Sequence, residues 1–112
     1  MSYRSETLLW LAQRASAAVL GVCVVVHLAT MIYAVRGGLS AVEILDRTRG
    51  STTWLAFYSA FVLAIVVHVP IGLRAVLGEW FGWRSVSRDL ALLAFAATLG
   101  WMGMRAVRAV FL

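Results

Sequence analysis

Three long apolar runs, each closed off by charged residues, constrain this chain more than any other feature. They cover residues 15–35 between Arg14 and Arg36, 50–73 between Arg49 and Arg74, and 90–104 between Asp89 and Arg105. The first two exceed the about 20 residues that a helix needs to cross a bilayer core. The third is shorter, but Arg105 and Arg108 can extend toward headgroups, so a helix continuing to Leu112 is about 34 Å long at about 1.5 Å per residue. With 62% apolar and only 13% charged residues, the expected solvent is lipid. The expected fold class is an all-α membrane protein of three transmembrane helices, forming one unit over residues 1–112 without internal repeats or linkers.

Local signals refine this layout. Leu8, Leu9 and Trp10, beside Glu6 and Arg14, suit an interfacial approach to the first span, so helix I is expected at about 8–35. Gly37-Gly38 then breaks the helix, and Ser40 followed three residues later by Glu43 is a capping-box signature, predicting a surface helix at about 40–48. Helices II and III are expected at about 52–78 and 89–111. Trp54 and Tyr58 near one end of helix II, and Trp80 and Trp83 beyond the other, sit where aromatic belts form. A cleaved signal peptide is disfavoured because the first run is long and ends at Tyr33-Ala34-Val35, without a small-residue cleavage site.

The net charge of +5 comes from ten Arg and no Lys against five acidic residues. These arginines punctuate apolar runs instead of forming a basic patch, which points to the membrane surface and away from nucleic acid. They divide equally between the two sides, so charge alone leaves the orientation open. The single cysteine, Cys23, supports neither an internal disulfide nor an iron–sulfur cluster, so any such cluster belongs to a partner.

His27 and His68 are the only histidines, and both lie inside apolar spans, where an ionisable side chain is costly and marks a functional hypothesis. A neutral imidazole is also a heme ligand. Steps of about 100° per residue align Ser16, Leu20, Cys23, His27, Thr30 and Ala34 on one face of helix I. That small, mildly polar face suits close approach of another helix or space for a flat ring, and the stripe does not choose. On helix II the same steps align Trp54, Phe57, Phe61, Ala64, His68, Gly72, Ala75 and Glu79, so Gly72 removes bulk one turn from His68. Pro70 cannot donate to the Val66 carbonyl and is expected to kink the helix there.

If Arg14 and Arg74 mark the same surface, His27 lies about 20 Å inward and His68 about 9 Å. The two histidines are then expected to serve different hemes, and each heme needs its second axial ligand from another chain. Without a cofactor, each histidine is explained by a hydrogen bond to a neighbouring helix.

The segment His68-Val-Pro-Ile-Gly-Leu-Arg74, with Glu79 downstream, resembles the His-x-x-x-Gly-Ile/Leu-Arg segment of cytochrome b membrane-anchor subunits of succinate:quinone oxidoreductases, the succinate dehydrogenase and fumarate reductase type. Gln13-Arg14-Ala15-Ser16-Ala17 is similar to the His-Arg-x-Ser/Thr-Gly opening of the same subunits. The resemblance implies heme b at His68, a quinone-site role for Arg14 and Ser16, and a multi-pass location in the bacterial inner (cytoplasmic) membrane with the N-terminus cytoplasmic. His27 together with His68 looks like the diheme branch, with His27 serving the distal heme and His68 the proximal one. Implied partners are an iron–sulfur subunit, a flavoprotein subunit, and a second anchor chain or another copy supplying the missing axial ligands.

Several positions depart from that pattern. Gln13 replaces the usual histidine, Ala17 the usual glycine, and Ala75 the histidine that often follows the arginine; Trp10 stands where some members place a quinone-binding serine. Its indole cannot accept a hydrogen bond. Arg14 can hydrogen-bond a quinone oxygen or a heme propionate, and Ser16 can donate to the other quinone oxygen. Arg74 points about 120° away from His68, so it reaches a propionate only by a bent, long side chain or through the partner. Two other readings stay open: a heme b anchor of a different quinone-linked dehydrogenase, and a cofactor-free assembly subunit. On any of these readings the chain alone catalyses nothing, since the cofactors carry the redox chemistry.

Overall fold

The structure, a computed structural model, describes residues 2–112. It contains α1 (Tyr3–Arg36), α2 (Ala41–Thr48), α3 (Thr52–Phe81) and α4 (Val86–Phe111). Three of these, α1, α3 and α4, are long and apolar enough to cross a membrane.

Capping chemistry sets several helix ends. Ser2 Oγ accepts from the Ser5 amide at 3.2 Å, so α1 starts five residues before the expected position. Apolarity marks the stretch that lies in lipid, whereas backbone hydrogen bonding marks the helix, and Ser5, Glu6 and Thr7 extend it into the interface. Ser40 and Glu43 form the reciprocal capping box of α2. Ser51 accepts from the Trp54 amide to open α3. That helix runs through Pro70 and ends at Gly82, whose φ of 65° is the left-handed conformation that glycine adopts without steric cost.

The helix α3 lies at the centre. It packs against α1 on one side and α4 on the other, while α1 and α4 hardly meet. The surface helix α2 closes the end of α4: Thr48 Oγ1 donates to the Val110 carbonyl at 2.8 Å, and the Gly50 amide donates to the Phe111 carbonyl at 2.9 Å. These bonds satisfy carbonyls that the last turn of a helix leaves without intrahelical donors.

Burial is confined to the helix seams. Among the described residues, the buried apolar ones are Cys23, Ala64, Leu92 and Val107. Large aliphatic side chains point outward instead, with Val25 68%, Leu63 65% and Leu93 68% exposed. In water that surface would be a gross aggregation hazard, and in a bilayer it is the ordinary lipid-facing side.

Candidate functional site

The small-residue stripe of α1 is its seam with α3. Ser16 and Cys23 are buried, and Leu20, His27, Thr30 and Ala34 are half-buried along the same face. Two contacts fix the register of this antiparallel pair. Gln13 Nε2 lies 3.3 Å from where a Cβ on Gly72 would stand, and His27 Nδ1 lies 3.4 Å from Tyr58 Oη. The spacing Gln13 to His27 on α1 equals that from Tyr58 to Gly72 on α3, so one register holds across the seam.

His68 sits between two residues that face α1. Ala64, one turn away, lines a groove with Ala12, Ser16 and Val19, and Gly72, one turn the other way, receives Gln13. The imidazole is half-buried, and its Nδ1 is buried without a hydrogen-bond partner among the described residues. Gln13 Oε1 is likewise buried and unpartnered. A neutral imidazole at lipid depth suits a heme ligand, and since Nδ1 is closed in by the helices, coordination would be through Nε2. The space over Gly72, expected for a porphyrin edge, is occupied by the Gln13 amide, because the register places that side chain against the missing Cβ.

His27 has a fuller environment. Tyr58 meets its ring edge-on at 5.9 Å and 84°, and Phe61 does so at 5.7 Å and 76°. Trp54 stacks on Tyr58 at 5.7 Å, and Phe57 packs edge-on against Tyr58 at 5.0 Å. The imidazole lines two grooves. One of about 280 Å³ runs toward α2, where Arg47 and Thr48 contribute. The other, of about 320 Å³, runs toward α4, beside Gly103 and Val107. An imidazole held at Nδ1 and, among the described residues, without a bond at Nε2, next to open apolar space, also fits a heme ligand.

The levels of the two histidines can be compared on α3. His27 is level with Tyr58, ten residues from His68, which corresponds to about 15 Å along the helix. Two axial nitrogens on one iron are about 4 Å apart at ~2 Å per bond, so His27 and His68 do not share an iron. Among the described residues, no three His, Cys, Asp or Glu side chains converge as a metal cluster.

The other expected site residues are dispersed. Arg14 is exposed, its guanidinium 5.3 Å from the Trp10 ring centroid. Ser16 is buried on the other side of α1 and donates to the Gln13 carbonyl at 3.1 Å. The structure therefore does not bring Arg14 and Ser16 onto one face. Arg74 turns toward α4, its Nε 3.4 Å from Asp89 Oδ1, as the 120° offset from His68 requires. Glu79 is exposed, beside Arg84 and Arg88 in a polar groove.

Three residues were not singled out as site candidates from sequence: Gln13, Tyr58 and Arg88. Arg88 is buried at the start of α4 and pairs with Asp89 at 3.1 Å. Its Nη1 lies 3.2 Å from the position of a Cβ on Gly78, so glycine makes room for the guanidinium. The signal for Gln13 and Tyr58 was the pairing of α1 with α3, which appears in neither segment alone.

A membrane protein of three apolar helices, with its only histidines set at two depths along one helix seam, has the build of an intramembrane anchor. The chain matches the succinate dehydrogenase/fumarate reductase transmembrane subunit family over residues 1–104, and it belongs to that family. It is thus a membrane-anchor subunit of a complex of the succinate:quinone oxidoreductase type. No curated protein and no solved structure matches the chain.

Proposed function

We propose that this chain binds heme b through His68, binds a second heme through His27, and helps to form the quinone site for electron transfer between an iron–sulfur subunit and quinone. The observation that carries the reading is His68 itself, half-buried on the α1–α3 seam with Nδ1 sealed from solvent and unpartnered. In a bilayer an imidazole at this depth is expensive without a role, and with Nδ1 closed in, Nε2 is the nitrogen left to meet a ligand. Family membership supports the same cofactor.

When bound, heme supplies one-electron transfer, and the protein supplies ligation and orientation. His68 and His27 would each hold a separate heme from this chain, and a second anchor chain or another copy would supply the remaining ligands. Arg14, exposed at the start of the first span, donates to a quinone oxygen or a propionate. Ser16 lies on the opposite side of α1 and is already bonded to Gln13, so Arg14 is the residue we assign to quinone. Gly72 and Arg74 serve His68 indirectly, one admitting Gln13 beside it and the other tying α3 to α4 through Asp89. The complex is completed by iron–sulfur and flavoprotein subunits at the inner membrane of a bacterium, with this chain's N-terminus cytoplasmic.

The test is a reduced-minus-oxidised spectrum with heme quantitation on the purified complex. Two b-type hemes are expected, with one lost in His68→Ala. Full retention of heme in that variant removes His68 from the iron.

A further inference from the structure

We propose that Tyr58 is a positioning residue for His27: its hydroxyl oxygen holds the Nδ1 side of the ring, so that Nε2 is the nitrogen presented to a heme iron. This rests on the ligand reading of His27 above and deepens it by naming the group that selects the nitrogen.

A neutral imidazole carries one N–H and one lone pair, and the nitrogen that binds metal must be the one without the proton. Coordination at Nε2 therefore puts the proton on Nδ1, where it needs an acceptor. Tyr58 Oη stands 3.4 Å from that nitrogen and can accept as well as donate. Coordination at Nδ1 would instead require the iron to displace the Tyr58 hydroxyl. The His27 carbonyl is engaged separately by the Thr30 hydroxyl at 2.8 Å, which ties the neighbouring backbone.

Ring orientation is fixed by the same cluster. Tyr58 and Phe61 meet the imidazole edge-on from two positions one turn apart on α3. Tyr58 is in turn held by Trp54 stacked on it and by Phe57 against its edge. His68 has no counterpart to this arrangement, since its Nδ1 has no partner. The two histidines thus differ in one respect that can be measured: His27 is oriented from within its own chain.

The experiment compares wild type, Tyr58→Phe and His27→Ala in the purified membrane complex, using low-spin ferric EPR and a redox titration of both hemes. Tyr58→Phe keeps the ring and removes only the hydroxyl. The expected result is retention of both hemes, with a changed EPR signal and a raised midpoint potential at the heme that His27→Ala loses. The potential rises because an imidazole without an acceptor at Nδ1–H donates less charge to ferric iron. If His27→Ala loses one heme while Tyr58→Phe leaves both signals and both potentials unchanged, the role of Tyr58 is overturned and the ligand reading stands. If His27→Ala keeps two hemes, the ligand reading falls and this proposal with it. Should His27→Ala fail to assemble, Tyr58→Phe decides alone: a shift confined to one of two hemes supports the proposal, and no shift, or an equal shift of both, overturns it.

Discussion

A Cβ on Gly103 would stand 2.6 Å from Val62 Cγ1 and 2.9 Å from Cγ2. The β-branched side chain of Val62 on α3 fills the place where the Gly103 side chain would be, so α4 lies close against α3 there. Gly100, one turn earlier, meets Val66 at 3.6 Å in the same way, and Val107, one turn later, is buried. Small residues at this spacing let helices in lipid gain dispersion contacts, which is their main source of association there.

Gly103→Ala is therefore expected to destabilise the α3–α4 pair by about 1–3 kcal/mol, since Val62 is stiff at χ1 and cannot swing aside freely. Gly21→Ala, where nothing lies within 4 Å of the new Cβ, serves as the control. Thermal unfolding of the detergent-solubilised complex should show a lower midpoint for Gly103→Ala alone, and equal midpoints would contradict the close packing.

Asp89 is shared by Arg88 and Arg74, at 3.1 and 3.4 Å. The Arg88 side chain is only 8% exposed whereas Asp89 is 45% exposed, so removing the carboxylate leaves a buried cation without its pair while water still screens the site. Asp89→Asn should cost about 1–3 kcal/mol. Glu79→Gln, at an exposed carboxylate, should cost less than about 0.5 kcal/mol. The comparison is again by thermal midpoint, and the two variants behaving alike would argue against a structural role for the Arg88–Asp89 pair.

Arg14 faces outward beside Trp10. If it hydrogen-bonds quinone, Arg14→Leu loses a charge-assisted bond of about 1.5–3 kcal/mol, roughly tenfold to 100-fold in quinone kcat/KM. Succinate oxidation by an artificial dye, which bypasses quinone, should persist. Unchanged quinone kinetics would remove Arg14 from that site.

Thr48 joins α2 to the last turn of α4 through the Val110 carbonyl. Thr48→Val keeps the shape and removes the donor, leaving a carbonyl to find water at the membrane edge. A loss of about 1 kcal/mol is expected, together with faster amide exchange in α2; protection as in wild type would show that the bond does not hold α2 in place.

The helices were legible in the sequence because a backbone in lipid must close its own hydrogen bonds, so a sufficiently long apolar run determines a helix without help from tertiary contacts. Their ends were less so: Ser2 and Gly82 set the limits of α1 and α3 by capping, outside the apolar stretch. The face carrying Ser16, Cys23 and His27 was visible from its periodicity. That α3 covers this face was not, since small residues suit a helix and a flat cofactor equally. Gln13 over Gly72 and Tyr58 against His27 both follow from the α1–α3 register, a relation between two segments that periodicity within each cannot supply. Tyr58, read as a belt residue from its place near a helix end, instead turns its hydroxyl to an imidazole.

Because α1 packs on α3 and hardly touches α4, its cover comes from a helix synthesised after it. When Arg36 leaves the ribosome, Tyr58 and Phe61, which cover His27, are still enclosed in it. At about 5–20 residues per second, several seconds pass before Phe81 follows and α3 can dock. Throughout that interval the first helix waits in the bilayer with its polar stripe uncovered, and the nascent chain is then most open to insertion factors and to membrane proteases.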